Sequence, residues 1–209
     1  MIELEEANQR ILDALGSTGT ETLALSDAAT RVLAADISSP INLPAFDNSA
    51  MDGYAVRSVD AITGSSLRII GEVPAGTVFE KEISEGECVR IFTGSPIPAG
   101  ANAVVMQEDT HADKETIEIT DGVKPFEHVR LRGEDIKQGE DIGQAGEMVT
   151  SGRVALLGAC GMAEVSVYRR PVVGLIATGD ELKEPGAKLG PGEIFESNRL
   201  SLARLVEQT

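Results

Sequence analysis

The feature that most restricts the fold is the absence of any helical period between Pro40 and Gly139. Short apolar runs alternate there with Gly- and Pro-containing turns, a pattern typical of strands joined by tight loops. The polar residues His111–Glu115 separate two such runs and predict the tip of a hairpin. We therefore expect residues 40–139 to form a small, mostly β domain. Its predicted strands are Gly53–Val56, Leu67–Val73, Cys88–Phe92, Ala103–Gln107 and Thr116–Thr120.

The segments on either side of this range resemble two halves of one smaller unit. Residues 20–39 contain short extended runs around a brief helix capped by Ser26. Residues 140–170 contain a helix over Gly152–Ala159, capped by Ser151, and then a strand. The sequence thus predicts a small α+β linker domain, 20–39 with 140–170, into which the β domain is inserted.

The two ends of the chain have a third pattern. Apolar residues at helical spacing predict a helix over Ile2–Leu15. Residues 172–177 are apolar on both faces, as in a buried parallel strand, and Ser197 caps a predicted helix, Asn198–Gln208. No partner strand follows, so we expect 171–209 to be the truncated start of an α/β domain. The predicted fold class is an α+β multidomain protein.

Composition disfavours several classes of function and partner. Hydrophobic residues make up 42% of the chain, and its net charge is -16, which disfavours contact with nucleic acid. The acidic N-terminus is unlike a targeting peptide, and no apolar run is long enough to span a membrane. Cys88 and Cys160 match no zinc or disulfide spacing. We expect a cytoplasmic protein with reduced cysteines and without nucleic-acid or membrane partners.

The most specific polar stretch is FDNSAMDGYAV, Phe46–Val56, immediately before a predicted strand. Asp47, Asn48, Ser49 and Asp52 offer oxygen ligands suited to Mg²⁺ or to positioning an oxyanion. A turn is the alternative, with Asp47 or Asn48 bonding its own backbone and Gly53 taking a positive φ. From spacing alone both interpretations stay open.

Three further loops carry similar groups. Thr93–Asn102 combines Thr93 and Ser95 with backbone N–H groups that suit an oxyanion, or is a plain two-turn loop. Val129–Asp135 places Arg130 and Arg132 where they suit phosphate, or forms surface ion pairs with Glu134 and Asp135. Ala177–Leu182 follows an apolar run, and its Asp180 and Glu181 suit a metal that bridges to an anionic substrate. Together the loops favour a site for an anion and a hard cation.

Four motifs in this order resemble a known family: LPAFDNSAMDGYAV, RIFTGSPIPAGANAVVMQED, RLRGEDI, and LIATGDEL followed by IFESNRL. They are similar to the molybdopterin molybdenumtransferases of molybdenum-cofactor biosynthesis, a family that includes the carboxyl-terminal domain of gephyrin. The likeness extends from the first helix to Thr209. Leu131 replaces the second member of the family's usual Arg run. The rest of the family's α/β domain and its carboxyl-terminal β domain have no counterpart here, so the chain resembles an amino-terminal half.

The resemblance implies Mg²⁺-dependent insertion of molybdate into adenylylated molybdopterin, with release of AMP, by an elongated homodimer. In it the inserted β domain, 40–139, faces the α/β domain of the other subunit, and residues 1–19 pack with 171–209. Other proteins of molybdenum-cofactor biosynthesis are candidate partners. The implied site consists of catalytic acids, Asp52, Asp135 and Glu181, of metal ligands, Asp52, Asp180 and Glu181, and of substrate contacts, Thr93, Ser95 and Arg130.

Two other functions stay open at this point. The alternative is that the chain as it stands is a non-catalytic dimerisation or scaffold module of the same fold. We expect the chain to be inactive by itself. A β-rich ligand-binding domain unrelated to molybdenum is the weaker alternative. Activity of the isolated chain in Mg²⁺-dependent molybdenum insertion distinguishes the enzyme from the scaffold.

Overall fold

The structure, a computed structural model, describes residues 2–208 and divides into two compact units. The terminal unit comprises the residues up to Thr20 together with those from Tyr168 onward, and the central unit is Glu21–Val167. The helices are α1 (Leu4–Ala14), α2 (Ser151–Ala159) and α3 (Asn198–Glu207), with 3₁₀ turns at Leu25–Asp27 and Gln107–Asp109. The strands are β1 (Thr20–Ala24), β2 (Ile37–Ser38), β3 (Asn48–Ser49), β4 (Gly53–Val56), β5 (Ser66–Val73), β6 (Glu87–Ile91), β7 (Ala103–Met106), β8 (Thr110–Ala112), β9 (Thr116–Ile119), β10 (Val129–Arg130), β11 (Asp141–Gly143), β12 (Glu164–Tyr168), β13 (Leu182–Lys183) and β14 (Ile194–Phe195).

A six-stranded sheet with the order β7-β4-β6-β5-β9-β8 dominates the central unit. All its pairs are antiparallel except β5 with β6. Both faces are apolar: Val56, Cys88 and Val105 belong to one buried cluster, and Ala55, Val89 and Val104 to another. Because side chains alternate between the faces, a sheet covered on both sides needs the near-continuous apolar runs seen in β4 and β7.

The predicted strands correspond to β4, β5, β6, β7 and β9, but the predicted hairpin tip is too long. His111 and Ala112 lie in β8, where they pair with Glu118 and Ile117 of β9. An edge strand needs backbone pairing but few apolar side chains, so its polar residues resemble a loop in sequence. The β-rich character of this range is confirmed, whereas its status as a separate inserted domain stays a prediction.

A third apolar cluster joins residues from the two flanking segments, including Leu33, Leu157 and Val167. β1 pairs with β12, and β2 pairs with β11. α2 begins one residue before the predicted Gly152, and its cap is Thr150, whose Oγ1 accepts a hydrogen bond from Arg153 N at 3.2 Å. Ser151, the predicted cap, is the first helical residue because the preceding Thr already supplies the oxygen.

The terminal unit contains α1, α3 and the parallel pair β13–β14. The predicted strand at 172–177 is wrong: the segment has no regular secondary structure, and Val172 and Ile176 are 101% and 89% exposed. A buried parallel strand needs hydrogen-bonded neighbours, and residues 2–208 provide none for this segment. Ser197 precedes α3 without capping it through its side chain; Glu196 Oε1 accepts the hydrogen bond from Arg199 N instead.

Cys88 and Cys160 are both buried and unpaired, and burial raises the pKa of the Cys88 thiol to about 12. Within residues 2–208, no helix combines the length and apolar character needed to cross a bilayer.

Gly53 is required by a close backbone approach, and it lacks the positive φ that the turn interpretation included. A Cβ atom at this position would lie 1.9 Å from the carbonyl oxygen of Val105 on the neighbouring strand. Gly53→Ala must therefore push β4 away from β7, and we expect a loss of about 1–3 kcal/mol or more in the free energy of unfolding. Urea-induced unfolding of the chain measures it.

Gly152→Ala is the matched control for this prediction. The nearest atom to its added Cβ would be Thr150 Oγ1 at 3.9 Å, an ordinary contact in the first turn of α2. Because Gly in a helix is less favourable than Ala, we expect a gain of about 0.5–1 kcal/mol. Equal losses for the two variants would contradict the close-approach explanation.

Candidate functional site

Three of the four predicted polar loops meet at the segment Asp47–Gly53, which we call the site segment. On one side it is bonded to the loop after β6: Ser49 N donates to Ser95 O at 3.0 Å, and Gly94 N donates to Ser49 O at 2.8 Å. On the other side β3, inside the segment, pairs with β10, so that Asn48 lies opposite Arg130. Backbone hydrogen bonds thus bring the segment, the Thr93 loop and the Arg130 loop together.

Asp52 lies exposed in the site segment, immediately before β4. Its Oδ1 accepts hydrogen bonds from Thr93 N at 2.8 Å and from Thr93 Oγ1 at 3.0 Å. Both bonds lower the pKa of the Asp52 carboxyl from its ordinary 3.8, and the bond from the Thr93 backbone has the larger effect. The positive charge of Arg90 lowers this pKa further. Asp52 therefore stays ionised, and its Oδ2 has no hydrogen-bond partner within residues 2–208.

Arg90 and Gln107 are neighbours of Asp52 that the sequence analysis missed. Arg90 Nη1 donates to Gly53 O at 3.1 Å, and Nη2 donates to Gln107 Oε1 at 2.6 Å. Gln107 N in turn donates to Asp52 O at 3.1 Å. The available signal was a single charged residue inside the apolar run CVRIF of an inner strand, where it needs specific partners.

The other polar residues of the site segment use their side chains to hold backbone. Asn48 Nδ2 donates to Phe46 O at 3.1 Å, and Ser49 Oγ donates to Met51 O at 2.5 Å. Asp47 Oδ1 accepts a hydrogen bond from Arg132 N at 2.6 Å, which ties the segment to the Arg130 loop. The turn interpretation therefore describes Asn48 and Ser49, whereas Asp47 bonds a distant part of the chain.

Ser95 does not have the geometry predicted for a substrate contact. It is 0% exposed, and its hydroxyl donates to the carbonyl oxygen of Val73 at 3.0 Å. Its carbonyl oxygen accepts the hydrogen bond from Ser49 N. A hydroxyl buried in this way supports the loop from inside, so the geometry favours a structural role for Ser95. Its neighbour Thr93 is exposed.

Arg130 and Asp135 bind each other. Arg130 Nε donates to Glu134 Oε1 at 2.6 Å, and Nη2 donates to Asp135 Oδ2 at 2.5 Å. These two carboxylates raise the pKa of Arg130 above its ordinary value. The structure therefore contains the ion pairs that were the alternative interpretation of VRLRGED, Val129–Asp135. Arg132, by contrast, is exposed, and its guanidinium has no partner within residues 2–208.

Asp180 and Glu181 are exposed residues of the terminal unit. Both carboxylate oxygens of Glu181 lie over Gly179, since a Cβ there would be 2.7 Å from each of them. The Glu181 carbonyl oxygen accepts a hydrogen bond from Ile194 N at 2.8 Å, which anchors the start of β13 to β14. A joint role of these acids with Asp52 of the central unit stays a prediction.

A magnesium ion fits this arrangement in a limited way. Among residues 2–208, no three His, Cys, Asp or Glu side chains converge into a metal cluster. Asp52 does offer one free, ionised carboxylate oxygen at an exposed position. Mg²⁺ is usually bound through one or two carboxylates together with substrate oxygens and water. Asp52 therefore fits such an ion as a single ligand and not as part of an all-protein cage.

We expect Thr93→Val to raise the pKa of Asp52 towards 3.8, because it removes the hydroxyl donor and keeps the backbone donor. The lowered pKa stabilises the folded chain above pH 3.8, and this contribution is lost as the pH falls through the folded value. The variant should therefore lose less stability on acidification. A ¹³C titration of the carboxyl group, with parallel unfolding curves, measures both effects.

Thr116→Val is the control, because Thr116 also bonds an aspartate, Asp113, through both its backbone N–H and its hydroxyl. It should raise the pKa of Asp113 and leave that of Asp52 unchanged. An unchanged Asp52 pKa in Thr93→Val would contradict the assigned hydrogen bond.

Comparison with known sequences agrees with the motifs. Residues 2–161 match the family model described as the MoeA N-terminal region (domain I and II). The molybdopterin molybdenumtransferase of Haemophilus influenzae is 42% identical over 210 residues, covering 100% of this chain and 52% of that protein. The one from Staphylococcus aureus (strain Mu50) is 37% identical over 212 residues, covering 99% and 51%. The chain thus spans about half the length of the curated relatives it matches.

A solved structure supports the same assignment. The molybdopterin biosynthesis MoeA protein from Pyrococcus horikoshii OT3 superposes with a TM-score of 0.89 at 37% identity, covering 100% of this chain and 57% of that one. At this identity the likeness extends beyond a shared fold. The family match, the relatives and the superposition agree with one another, and the chain belongs to the MoeA family.

Proposed function

We propose that this chain contributes the Asp52 side of the active site of a molybdopterin molybdenumtransferase. The reaction proposed is insertion of molybdate into adenylylated molybdopterin, with Mg²⁺ and with release of AMP. One observation carries the proposal: an ionised Asp52, bonded through one oxygen to Thr93, keeps its other oxygen free at the surface of a MoeA-family chain. The names of the relatives support this reaction class.

The chemistry demands control of negative charge, since molybdate and the adenylylated substrate are both anions. When bound, Mg²⁺ would screen their repulsion and polarise substrate oxygens. In this chain Asp52 supplies an oxygen ligand, and the Thr93 bonds orient it and keep it ionised at neutral pH. Arg130 and Asp135 form a charged pair beside the same segment, and the proposal gives Asp135 a catalytic role there.

The proposed assembly is a cytoplasmic homodimer in which Glu181 and Asp180 complete the site that Asp52 begins. Because the chain spans about half the length of its relatives, we also propose that these 209 residues alone do not catalyse the transfer. The complete gene product is therefore the protein to assay. Catalysis by the 209 residues alone would overturn this last point and leave the reaction class intact.

A second candidate, a dimerisation or scaffold module, is favoured by the exposed apolar side chains of α1. No residue of that helix is buried, and Leu4, Ile11 and Leu12 are each more than half exposed. Such a surface is typical of a helix that packs against a further partner. Loss of dimerisation after Ile11→Glu, with activity of the complete gene product retained, would support the scaffold reading.

Asp52→Asn in the complete gene product should lower kcat for molybdenum insertion by a factor on the order of 100 or more, because the neutral amide is a poor Mg²⁺ ligand. AMP release and molybdenum content of the product measure the activity. Asp113→Asn is the control: Asp113 is also an exposed carboxylate with a lowered pKa, bonded by Glu115 N and Thr116 N in the β8–β9 turn. It should leave the rate unchanged. Wild-type activity of Asp52→Asn would overturn the proposal.

A further inference from the structure

The backbone around Asp52 is held by a small hydrogen-bond network that the side chain of Arg90 connects. Its Nη1 donates to Gly53 O at 3.1 Å, immediately after Asp52 in sequence. Its Nη2 donates at 2.6 Å to the side chain of Gln107, whose backbone N donates to Asp52 O at 3.1 Å. Two consecutive carbonyl groups, those of Asp52 and Gly53, are therefore bound by the same small network.

Two aromatic rings keep the Arg90 guanidinium in place. Its central carbon lies 5.1 Å from the ring centroid of Tyr54 and 5.0 Å from that of Phe92. Tyr54 is the direct cross-strand partner of Arg90 in the β4–β6 register. Contacts at these distances are favourable for a cation over a ring. Two aromatic rings beside one Arg are unusual in a chain in which only 3% of the residues are aromatic.

Arg90 also differs from most arginines of the central unit in its partners. Arg31, Arg57, Arg68, Arg130 and Arg153 each have a carboxylate oxygen within 4.0 Å. Arg90 forms no such ion pair with any residue in 2–208, although the chain carries 34 acidic residues. Its hydrogen bonds go to neutral acceptors, a carbonyl and an amide oxygen. These hydrogen bonds fix local geometry, in addition to the effect of the Arg90 charge on the pKa of Asp52.

We propose that Arg90 is a positioning residue for the reaction, which holds the backbone of Asp52 and Gly53 so that the Asp52 carboxylate stays against Thr93. The inference rests on the proposed role of Asp52. Side-chain direction follows from backbone position, so a displaced Asp52 backbone moves Oδ1 away from Thr93 N and Oγ1, which are 2.8 and 3.0 Å away. Misplacement of a reacting group by about 1 Å can reduce a rate about 100-fold.

A double-mutant cycle in the complete gene product tests the proposal. Arg90→Gln should lower kcat on the order of 10-fold to 100-fold with a smaller effect on KM, and Arg90→Lys should fall between it and the wild type. In the Asp52→Asn background, Arg90→Gln should have little further effect, because residues that act through one group are not additive. Equal effects in both backgrounds would show a role independent of Asp52 and overturn the proposal.

Arg68→Gln is the matched control for loss of charge. Arg68 lies on β5 of the same sheet and is paired with Glu87 at 2.5 Å, away from the hydrogen bonds of Asp52. It should keep the wild-type kcat. If it lowers kcat as much as Arg90→Gln does, the effect of Arg90 is a general loss of charge or stability, and the proposal fails.

Amide hydrogen exchange gives a readout that does not need activity. Arg90→Lys and Gln107→Ala are milder changes that can be used if Arg90→Gln does not fold. Both are expected to speed exchange of the Thr93 amide, which donates to Asp52. The Thr116 amide, which donates to Asp113 at 2.8 Å, should be unaffected. Unchanged Thr93 exchange in both variants would overturn the positioning role. Wild-type kcat in Asp52→Asn would overturn the proposed function instead, whatever the exchange result.

Discussion

The candidate site depends on one constraint: the site segment, Asp47–Gly53, is held by backbone hydrogen bonds to two loops that are distant in sequence. At one end Asp47 O accepts from Ile97 N at 3.0 Å, and at the other Gly53 approaches Val105 so closely that no Cβ fits. Between them Ala50 N donates to His128 O at 2.9 Å. Because buried backbone groups must be paired, these bonds fix where Asp52 emerges at the surface.

The polar residues around this segment divide into two groups. Asn48, Ser49 and Ser95 are buried, and their side chains bond backbone carbonyls. Asp52 and Thr93 are exposed, bonded to each other, and leave one carboxylate oxygen free. The first group makes the segment rigid, and the second is available to a ligand. Polar residues are closely spaced in the site segment because the same few positions must both form the turn and expose the Asp52 carboxylate.

Much of the sheet could be predicted from the sequence, since β4 and β7 are short apolar runs bounded by turn residues. The edge strand β8 could not, because its polar side chains carry no apolar signal. The strand prediction for residues 172–177 was wrong for the opposite reason. An apolar run indicates burial, but a strand forms only where partner strands exist. Local patterns thus predicted elements whose partners lie in the described chain.

At the site, the sequence indicated Asp52 and Thr93 through their loops but not the bond between them, which joins residues 41 positions apart. The choice between turn and site for the Asp47–Asp52 stretch required knowing which oxygens were already used. Arg90 was missed because its partners, Gly53 O and Gln107, are defined only by the register of β4, β6 and the turn after β7. Spacing along the chain carries no information on such contacts.

We propose that a hard cation binds at the free carboxylate oxygen of Asp52. Mn²⁺, a paramagnetic substitute for Mg²⁺, can be titrated into the complete gene product together with adenylylated molybdopterin while backbone amide signals are followed. We predict that the Thr93 and Gly53 signals broaden at the lowest Mn²⁺ concentration and that Asp52→Asn abolishes the effect. Broadening that is unchanged by Asp52→Asn, or that begins near Asp113, would contradict the claim.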